Sequence, residues 1–178
     1  MSRFIARQTG YPDTDKAYLA GIIHDIGKVL LGCHYQDEYS QVLKKVEESN
    51  CSTYLAEYDL FGTTHCEAGF CLAQNWRFPA HYGEVIANHH DAAQAAEDAW
   101  LVAVVALADH FALTRCGSSP VSRGEAPGVS EQHALGVLMQ HAKVTLPAGV
   151  DPYMDSLVPS YEDVRPELQK LLDTISSV

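Results

Sequence analysis

Gly21-Ile22-Ile23-His24-Asp25-Ile26-Gly27-Lys28 sets a histidine–aspartate doublet and a lysine inside an apolar segment running from Ala17 to Leu31. Leu19, Ile22, Ile23, Ile26, Val29 and Leu30 recur at three- and four-residue intervals, the period of a buried helix. An unpaired charge in such a helix is costly enough to shift its own pKa until it is neutral. Something must compensate for the doublet. A metal ion or a tight local ion pair, such as Asp25 with Lys28 at i and i+3, meets that need.

Working outward, Ser2–Gln8 reads as a helix closed by Gly10 and Pro12, and Asp13 or Thr14 caps the organising helix, which should end near Gly32. An amphipathic helix over Gln36–Glu48 follows, with Tyr39, Val42, Leu43 and Val46 as its inner stripe, then a helix over Thr53–Leu60 leading to Gly62. Thr64-x-x-Glu67 fits a capping box, so a helix should run from Thr64 to about Trp76, with His65 in its first turn and on a face shared with Gly69, Leu72 and Trp76. Pro79 suits the first turn of the next helix, which carries Val85, Ile86, His89 and His90. Glu97 or Asp98 begins the most apolar helix, Trp100–Thr114, which contains Asp109 and His110. Residues Gly117–Ser130 form the clearest loop, long enough to be mobile or functional. Helices over Glu131–Lys143 and Tyr161–Ser176 close the chain, separated by the proline-punctuated Leu146–Pro159. In the last of them Leu168, Leu171, Leu172 and Ile175 form a stripe that packs on its own domain or pairs with another chain, of which packing is the commoner use. Strand alternation is nearly absent. The fold class expected is all-α.

The 178 residues are most simply one domain, and a hydrophobic fraction of 47% fits an ordinary globular protein. Twenty-three acids against 12 Lys and Arg leave a net charge of −11, which argues against nonspecific nucleic-acid binding through clustered cations. A small phosphorylated ligand held through a metal stays compatible with it. The five cysteines, Cys33, Cys51, Cys66, Cys71 and Cys116, are odd in number and form no CxxC pair. With no apolar signal segment in Met1–Gly10, they read as buried or free thiols in a reducing cytoplasm. The longest apolar run, Ala99–Ala108, is far short of the ~20 residues that span a bilayer, so no membrane association is expected.

His24, Asp25, His65, His89, His90 and Asp109, with Lys28 nearby, form a candidate site. Mixed imidazole and carboxylate ligation suits Mn, Fe, Co, Ni or Zn, with Mg also possible through oxygen donors. Each residue also has a plainer reading. Asp25 and Lys28 can form a simple helix ion pair. His24 and Asp25 diverge by about 100° on a helix and reach one metal only if it lies between their directions. His65 can be a second cap or a hydrogen-bonded core histidine. One of His89 and His90 should face solvent, because helical neighbours diverge. Asp109 and His110 can instead bond structurally to a neighbouring helix. His34, His81, His133 and His141 read as surface or packing residues, and the cysteines as packing residues, although Cys66 beside His65 can respond to a site metal.

His24-Asp25-Ile26-Gly27-Lys28 resembles the signature of the HD superfamily of metal-dependent phosphohydrolases. Ala17–Asp25, Thr64-His65-Cys66-Glu67-Ala68-Gly69, Trp76-Arg77-Phe78-Pro79 and Ile86-Ala87-Asn88-His89-His90 are similar, in order and spacing, to its HDOD branch, the HD-related output domains of bacterial signalling proteins. The resemblance covers roughly residues 14–115 and implies an HD-like helical bundle. It maps metal-ligand roles onto His24, Asp25, His65, one or both of His89 and His90, and Asp109. It also implies a water activated by metal for attack on phosphorus, with Asp25 and Lys28 in catalytic roles, Lys28 neutralising phosphate or orienting Asp25. Two departures stand out. Catalytic HD patterns carry another ligand histidine upstream of the doublet, and none of the 23 residues before His24 is His. The family's additional N-terminal helical half is also lacking, so the sequence corresponds to the C-terminal, HD-bearing portion.

Two functions follow. One is a cytoplasmic regulatory or output module that signals through protein partners and keeps an HD-like metal site, intact or degenerate. The other is a metal-dependent phosphohydrolase of a nucleotide or cyclic dinucleotide. The missing histidine favours the first, and the retained ionisable groups favour the second. A ligand-sensing site without turnover joins the two. Convergence of His24, Asp25 and Asp109 in one cleft is the structural expectation on which the metal readings depend.

Overall fold

A computed structural model describes residues 1–49, 51–115, 129–142 and 145–176, with the backbone alone at 129, 164 and 167–176. Among them there is helix and no strand, as an all-α fold requires. The elements are α1 (Ser2–Thr9), α2 (Thr14–Ile23), α3 (Ile26–His34), α4 (Gln36–Ser49), α5 (Thr53–Phe61), α6 (His65–Asn75), α7 (Ala80–Asn88), a 3₁₀ turn (Ala92–Gln94), α8 (Ala99–Arg115), α9 (Val129–His141) and α10 (Val150–Ser176). The chain divides into two compact units, Met1–Thr145 and Leu146–Val178.

In the first unit α8 is the core. Leu101 to Ala108 are all buried, as a helix that is apolar all round must be. It packs against α1, α2, α7, α9 and the 3₁₀ turn. Each of its fully buried Leu and Val side chains contributes about 1.5–3 kcal/mol of transfer free energy. The oxygens of Asp98 organise the start of α8, one of them accepting from Leu101 N–H at 3.0 Å. Local signals place several other helix starts. Asp13 caps α2 by accepting from Lys16 N–H, and Thr64 with Glu67 forms a complete capping box on α6. Gly10 closes α1 in the left-handed region at φ 78°.

The organising segment is two helices, where the periodicity predicts one to Gly32. α2 stops at Ile23 and α3 starts at Ile26, with Asp25 between them at φ −96°, ψ 15°. The reason is a close approach. A Cβ on Gly27 would overlap the carbonyl oxygen of His65, and a Cβ on Gly69 would stand 2.7 Å from Ile86 Cγ2 and 3.1 Å from Gly27 N. α3 therefore sits backbone-to-backbone on α6, and the chain bends at His24–Asp25 to reach it. The same packing reverses the expected stripe. Ala17, Ala20, Gly27 and Leu31 face inward, whereas Leu19, Ile22 and Val29 are exposed.

Other expectations change similarly. Val42 and Val46 pack with Ala56, Tyr39 and Phe61 between α4 and α5, but Leu43 is exposed. α6 ends at Asn75, and Trp76 lies exposed beyond it rather than in the core. Pro79 precedes α7 instead of entering its first turn. α9 begins at Val129, so the end of the expected 117–130 loop is helical, while residues 117–128 and Lys143 lie outside the described residues. Cys33 and Cys71 are exposed rather than packed, Cys66 is buried, and Cys116 lies outside the described residues.

The second unit is built on α10, which begins at Val150 instead of Tyr161. Pro152 falls in its first turn, where no intrahelical donor is lost, and the helix continues through Pro159 and Pro166. Val150, Tyr153, Met154 and Leu157 are buried at helical spacing. The side chains of the stripe from Leu168 to Ile175 lie outside the described residues.

Candidate metal centre

The bend between α2 and α3 presents Asp25 to its neighbour His24 and to two histidines from other positions in the fold. Asp25 Oδ1 stands 3.4 Å from His65 Nε2 and 3.5 Å from His89 Nε2, and Oδ2 stands 3.5 Å from His24 Nε2. His24 Nε2 also lies 3.6 Å from Asp109 Oδ1. His24, Asp25 and Asp109 thus converge, together with His65 and His89. Lys28 Nζ binds Asp25 Oδ2 at 2.9 Å, so the helix ion pair read from the sequence is present within the cluster. Asp25 and Lys28 are each about a third exposed, at 30%, and the cluster reaches solvent on their side.

The far nitrogen of each ring fixes what the near nitrogen can do. His24 Nδ1 donates to Gly21 C=O at 3.0 Å, and His89 Nδ1 faces the carbonyls of Val85 and Ile86 at 3.2 and 3.1 Å. His65 Nδ1 meets Glu57 Oε2 at 2.6 Å. In the neutral tautomers these bonds set, all three Nε2 atoms carry lone pairs toward Asp25. Such back-bonding is how metal-binding histidines are oriented. Two of these acceptors, His65 Nε2 and His89 Nε2, stand only 3.4 Å apart. His24 Nε2 and Asp25 Oδ1 are buried and have no hydrogen-bond partner. With Lys28 the sole donor on the carboxylate, these ring nitrogens and Asp25 Oδ1 leave room for a cation to satisfy them. The His/Asp group can hold a metal ion.

Glu57 escaped the sequence reading. It is fully buried on α5, accepts from both the backbone N–H and Nδ1 of His65, and receives the Tyr39 hydroxyl at 2.9 Å. A TYLAEYDLF helix gives little sign of this, since its acid sits between tyrosines and leucines that look more buried than it does. The available signal was its place eight residues before a capped His65. That contact also decides between the plain readings of His65. Thr64 is the cap, and His65 is bonded through Nδ1 with Nε2 left for the cluster.

Both His89 and His90 face inward, against the expectation that one would point to solvent. α7 ends at Asn88, so the pair lies in a turn where neighbouring side chains need not diverge. The His90 ring lies 5.2 Å from that of His65 and 4.2 Å from that of His89, centroid to centroid. Asp109 and His110 divide their roles. Asp109 joins His24, whereas His110 Nδ1 stands 3.8 Å from Glu131 Oε1 on α9. His34 and His133 are exposed, and His141 stacks on Trp100.

Electrostatics follow the burial. Desolvation works against charge on Asp25, but His89, His24 and Lys28 outweigh it and hold its carboxyl well below the usual range. Asp109 is likewise held low against its burial, chiefly by His24. Burial depresses His89, and burial with neighbouring His89 and His65 takes His90 down to about 2, so both rings are neutral donors at neutral pH. His24 moves up, because Asp109 and Asp25 overcome the cost of its burial. Burial, then Asp25, pushes the Cys66 thiol up.

The profile of the HDOD domain matches residues 1–92, from α1 to the 3₁₀ turn. This chain belongs to the HDOD family. A crystal structure of an HDOD domain protein of unknown function from Geobacter sulfurreducens is similar to it, with 30% identity and a TM-score of 0.76. The match covers 97% of this chain and 57% of that one, so this HDOD chain spans little more than half the length of that relative. No curated protein matches it. Among the described residues, no helix is long and apolar enough to cross a membrane.

Proposed function

We propose that this HDOD chain is a bacterial, cytoplasmic signalling module built around one divalent cation, which acts through protein partners rather than by turnover. His24, Asp25, His65 and His89 would hold the cation, with His90 and Asp109 beside them. The observation that carries this reading is the convergence of the Nε2 atoms of His65 and His89 on Asp25 Oδ1, which is buried and lacks a hydrogen-bond partner, with His24 Nε2 beside Oδ2. Imidazole and carboxylate donors suit Mn, Fe, Co, Ni or Zn better than Mg. A cation here would tie the α2–α3 bend to α6 and to the end of α7, making the packing of the bundle depend on occupancy. Such dependence is what a regulatory module needs to couple a bound state to its partner surface.

A metal-dependent phosphohydrolase is the second reading, favoured by the part-exposed Asp25 and Lys28, which a phosphorylated nucleotide or cyclic dinucleotide could approach. A bound metal would supply electrophilic stabilisation of phosphate oxygens. Lys28 argues for the first reading over this one. It occupies Asp25 Oδ2 at 2.9 Å, the oxygen that a carboxylate bridging two metals would need, and its charge repels a second cation. Lys28 itself is held protonated by Asp25 against the cost of burial.

Plasma mass spectrometry of tag-free protein beside His24→Ala and Asp25→Ala tests the proposal, followed by assays on phosphate esters and cyclic dinucleotides. One metal per chain, lost in both variants and accompanied by no turnover, is the expected result. Turnover that vanishes in Asp25→Ala establishes the hydrolase instead. No metal after reconstitution with Mn, Fe or Zn sinks both.

A further inference from the structure

Cys66 follows His65 in the first turn of α6 and is buried among imidazoles. Its Sγ lies 3.9 Å from His89 Nδ1 and 4.0 Å from His89 Nε2. One ligand atom from each of His65, Cys66, His89 and His90 falls within 4.8 Å of the others, in a set with no carboxylate. His24, Asp25 and His89 form a second set, and His89 belongs to both. The single Nε2 lone pair of His89 serves one cation, so the two sets share it.

Distances suit one cation within reach of both sets. Donors placed tetrahedrally about 2.0–2.3 Å from a cation stand about 3.3–3.8 Å apart. His65 Nε2 and His89 Nε2 are 3.4 Å apart and Asp25 Oδ1 stands 3.4 and 3.5 Å from them, while Cys66 Sγ, 4.0 Å from His89 Nε2, lies just beyond that range and closes it with a small side-chain movement. His65 Nε2 and His89 Nε2 face each other, and the other nitrogen of each ring is engaged by Glu57 or by the carbonyls of Val85 and Ile86. A buried cysteine that merely packs would need no such nitrogen neighbours.

We propose that Cys66 is a metal ligand, and that its thiolate completes a soft His65–Cys66–His89–His90 set selecting a thiophilic cation of the zinc class over magnesium or manganese. The proposal rests on the metal reading above and names the metal's class and a ligand outside the HD pattern. Binding forms one S–metal bond, breaks the Cys66 S–H bond and releases that proton to solvent. Nothing is oxidised. Thiolate and imidazole ligands disfavour the oxygen-seeking cations. Asp25 Oδ1, 3.4 Å from His65 Nε2 and 3.5 Å from His89 Nε2, stays within reach of the same cation and supplies negative charge to it.

Cobalt(II) reports both the ligand class and the geometry. Chelator-stripped, tag-free protein would be titrated with Co(II), and the absorption spectrum compared with those of Cys66→Ser, Cys66→Ala and a Cys33→Ser/Cys71→Ser control. The expected result is visible d–d bands plus a near-ultraviolet sulfur-to-cobalt band, both saturating at one equivalent and both removed by zinc. Cys66→Ser and Cys66→Ala should lose the sulfur band and bind cobalt about tenfold or more weakly, while the control keeps it. Visible bands without a sulfur band in the wild type would overturn the Cys66 assignment and leave a metal at the Asp25 set. A sulfur band that survives in both Cys66 variants would overturn it too. Absence of any cobalt band would overturn this proposal and the metal reading together.

Discussion

Asp25 and Asp98 are two part-buried aspartates, each beside a lysine, in opposite states of satisfaction. Asp98 Oδ2 accepts from the Tyr11 hydroxyl at 2.6 Å and Lys16 Nζ at 2.7 Å, and Oδ1 accepts from Leu101 N–H at 3.0 Å. Every oxygen has a donor, and the group pins α1 and α2 to the start of α8. Asp25 has one donor, Lys28, on Oδ2, while Oδ1 is buried facing imidazole nitrogens at 3.4 and 3.5 Å without a hydrogen bond. Both carboxyls are held below their ordinary range against the cost of burial. A depressed pKa therefore does not distinguish a structural pin from a site. The missing donor does.

The largest effect that would break this contrast is on metal content. Asp25→Asn should reduce metal from near-stoichiometric to background by plasma mass spectrometry, whereas Asp98→Asn should leave it unchanged. If both variants lose metal, the cluster depends on the fold in general and the contrast fails. Next comes Glu57→Gln, which keeps an acceptor for His65 but removes the charge. Metal affinity should fall about 10–100-fold, read by competition with a chelating dye, with the helical circular dichroism retained.

Asp98→Asn should lower stability to urea by about 1–3 kcal/mol, because the Tyr11 hydroxyl and Lys16 lose a charged partner. That loss should depend on pH with a definite sign. The folded pKa of Asp98 lies below its unfolded value of roughly 3.9. Its contribution is therefore complete above about pH 4 and fades as the pH falls through the lower folded value. The urea midpoints of wild type and Asp98→Asn should converge below that window, and a constant gap down to strong acid would remove Asp98 from the account. The smallest effect is Ile22→Ser, which should change stability by no more than about 0.5 kcal/mol because Ile22 is 58% exposed. A large loss there would restore the single buried helix that periodicity predicts.

That last residue shows where sequence reading stopped. Leu19, Ile22 and Val29 have helical spacing and lie outside, while Ala17, Ala20 and Gly27 lie inside. Leu55 and Tyr58 are likewise exposed on α5, and Ala56 and Glu57 are buried between them. Spacing reports that a helix has two faces, but the depth of the neighbouring backbone decides which face fits. Glu57 was invisible for that reason, since its burial depends on Tyr39 and His65 arriving from α4 and α6.

The sequence by itself determined the helical class, the capping box at Thr64, the wholly apolar α8 and, Glu57 apart, the ionisable residues that meet. Those signals act within a turn or two of helix, or follow from the cost of placing charge on apolar segments. Tertiary structure alone decided the bend at His24–Asp25, the inward turn of both His89 and His90, and the service of Glu57 to His65. The first depends on the contact of Gly27 and Gly69, the second on the end of α7 at Asn88, and the third on α4 and α6 meeting at α5, and no local pattern records any of them.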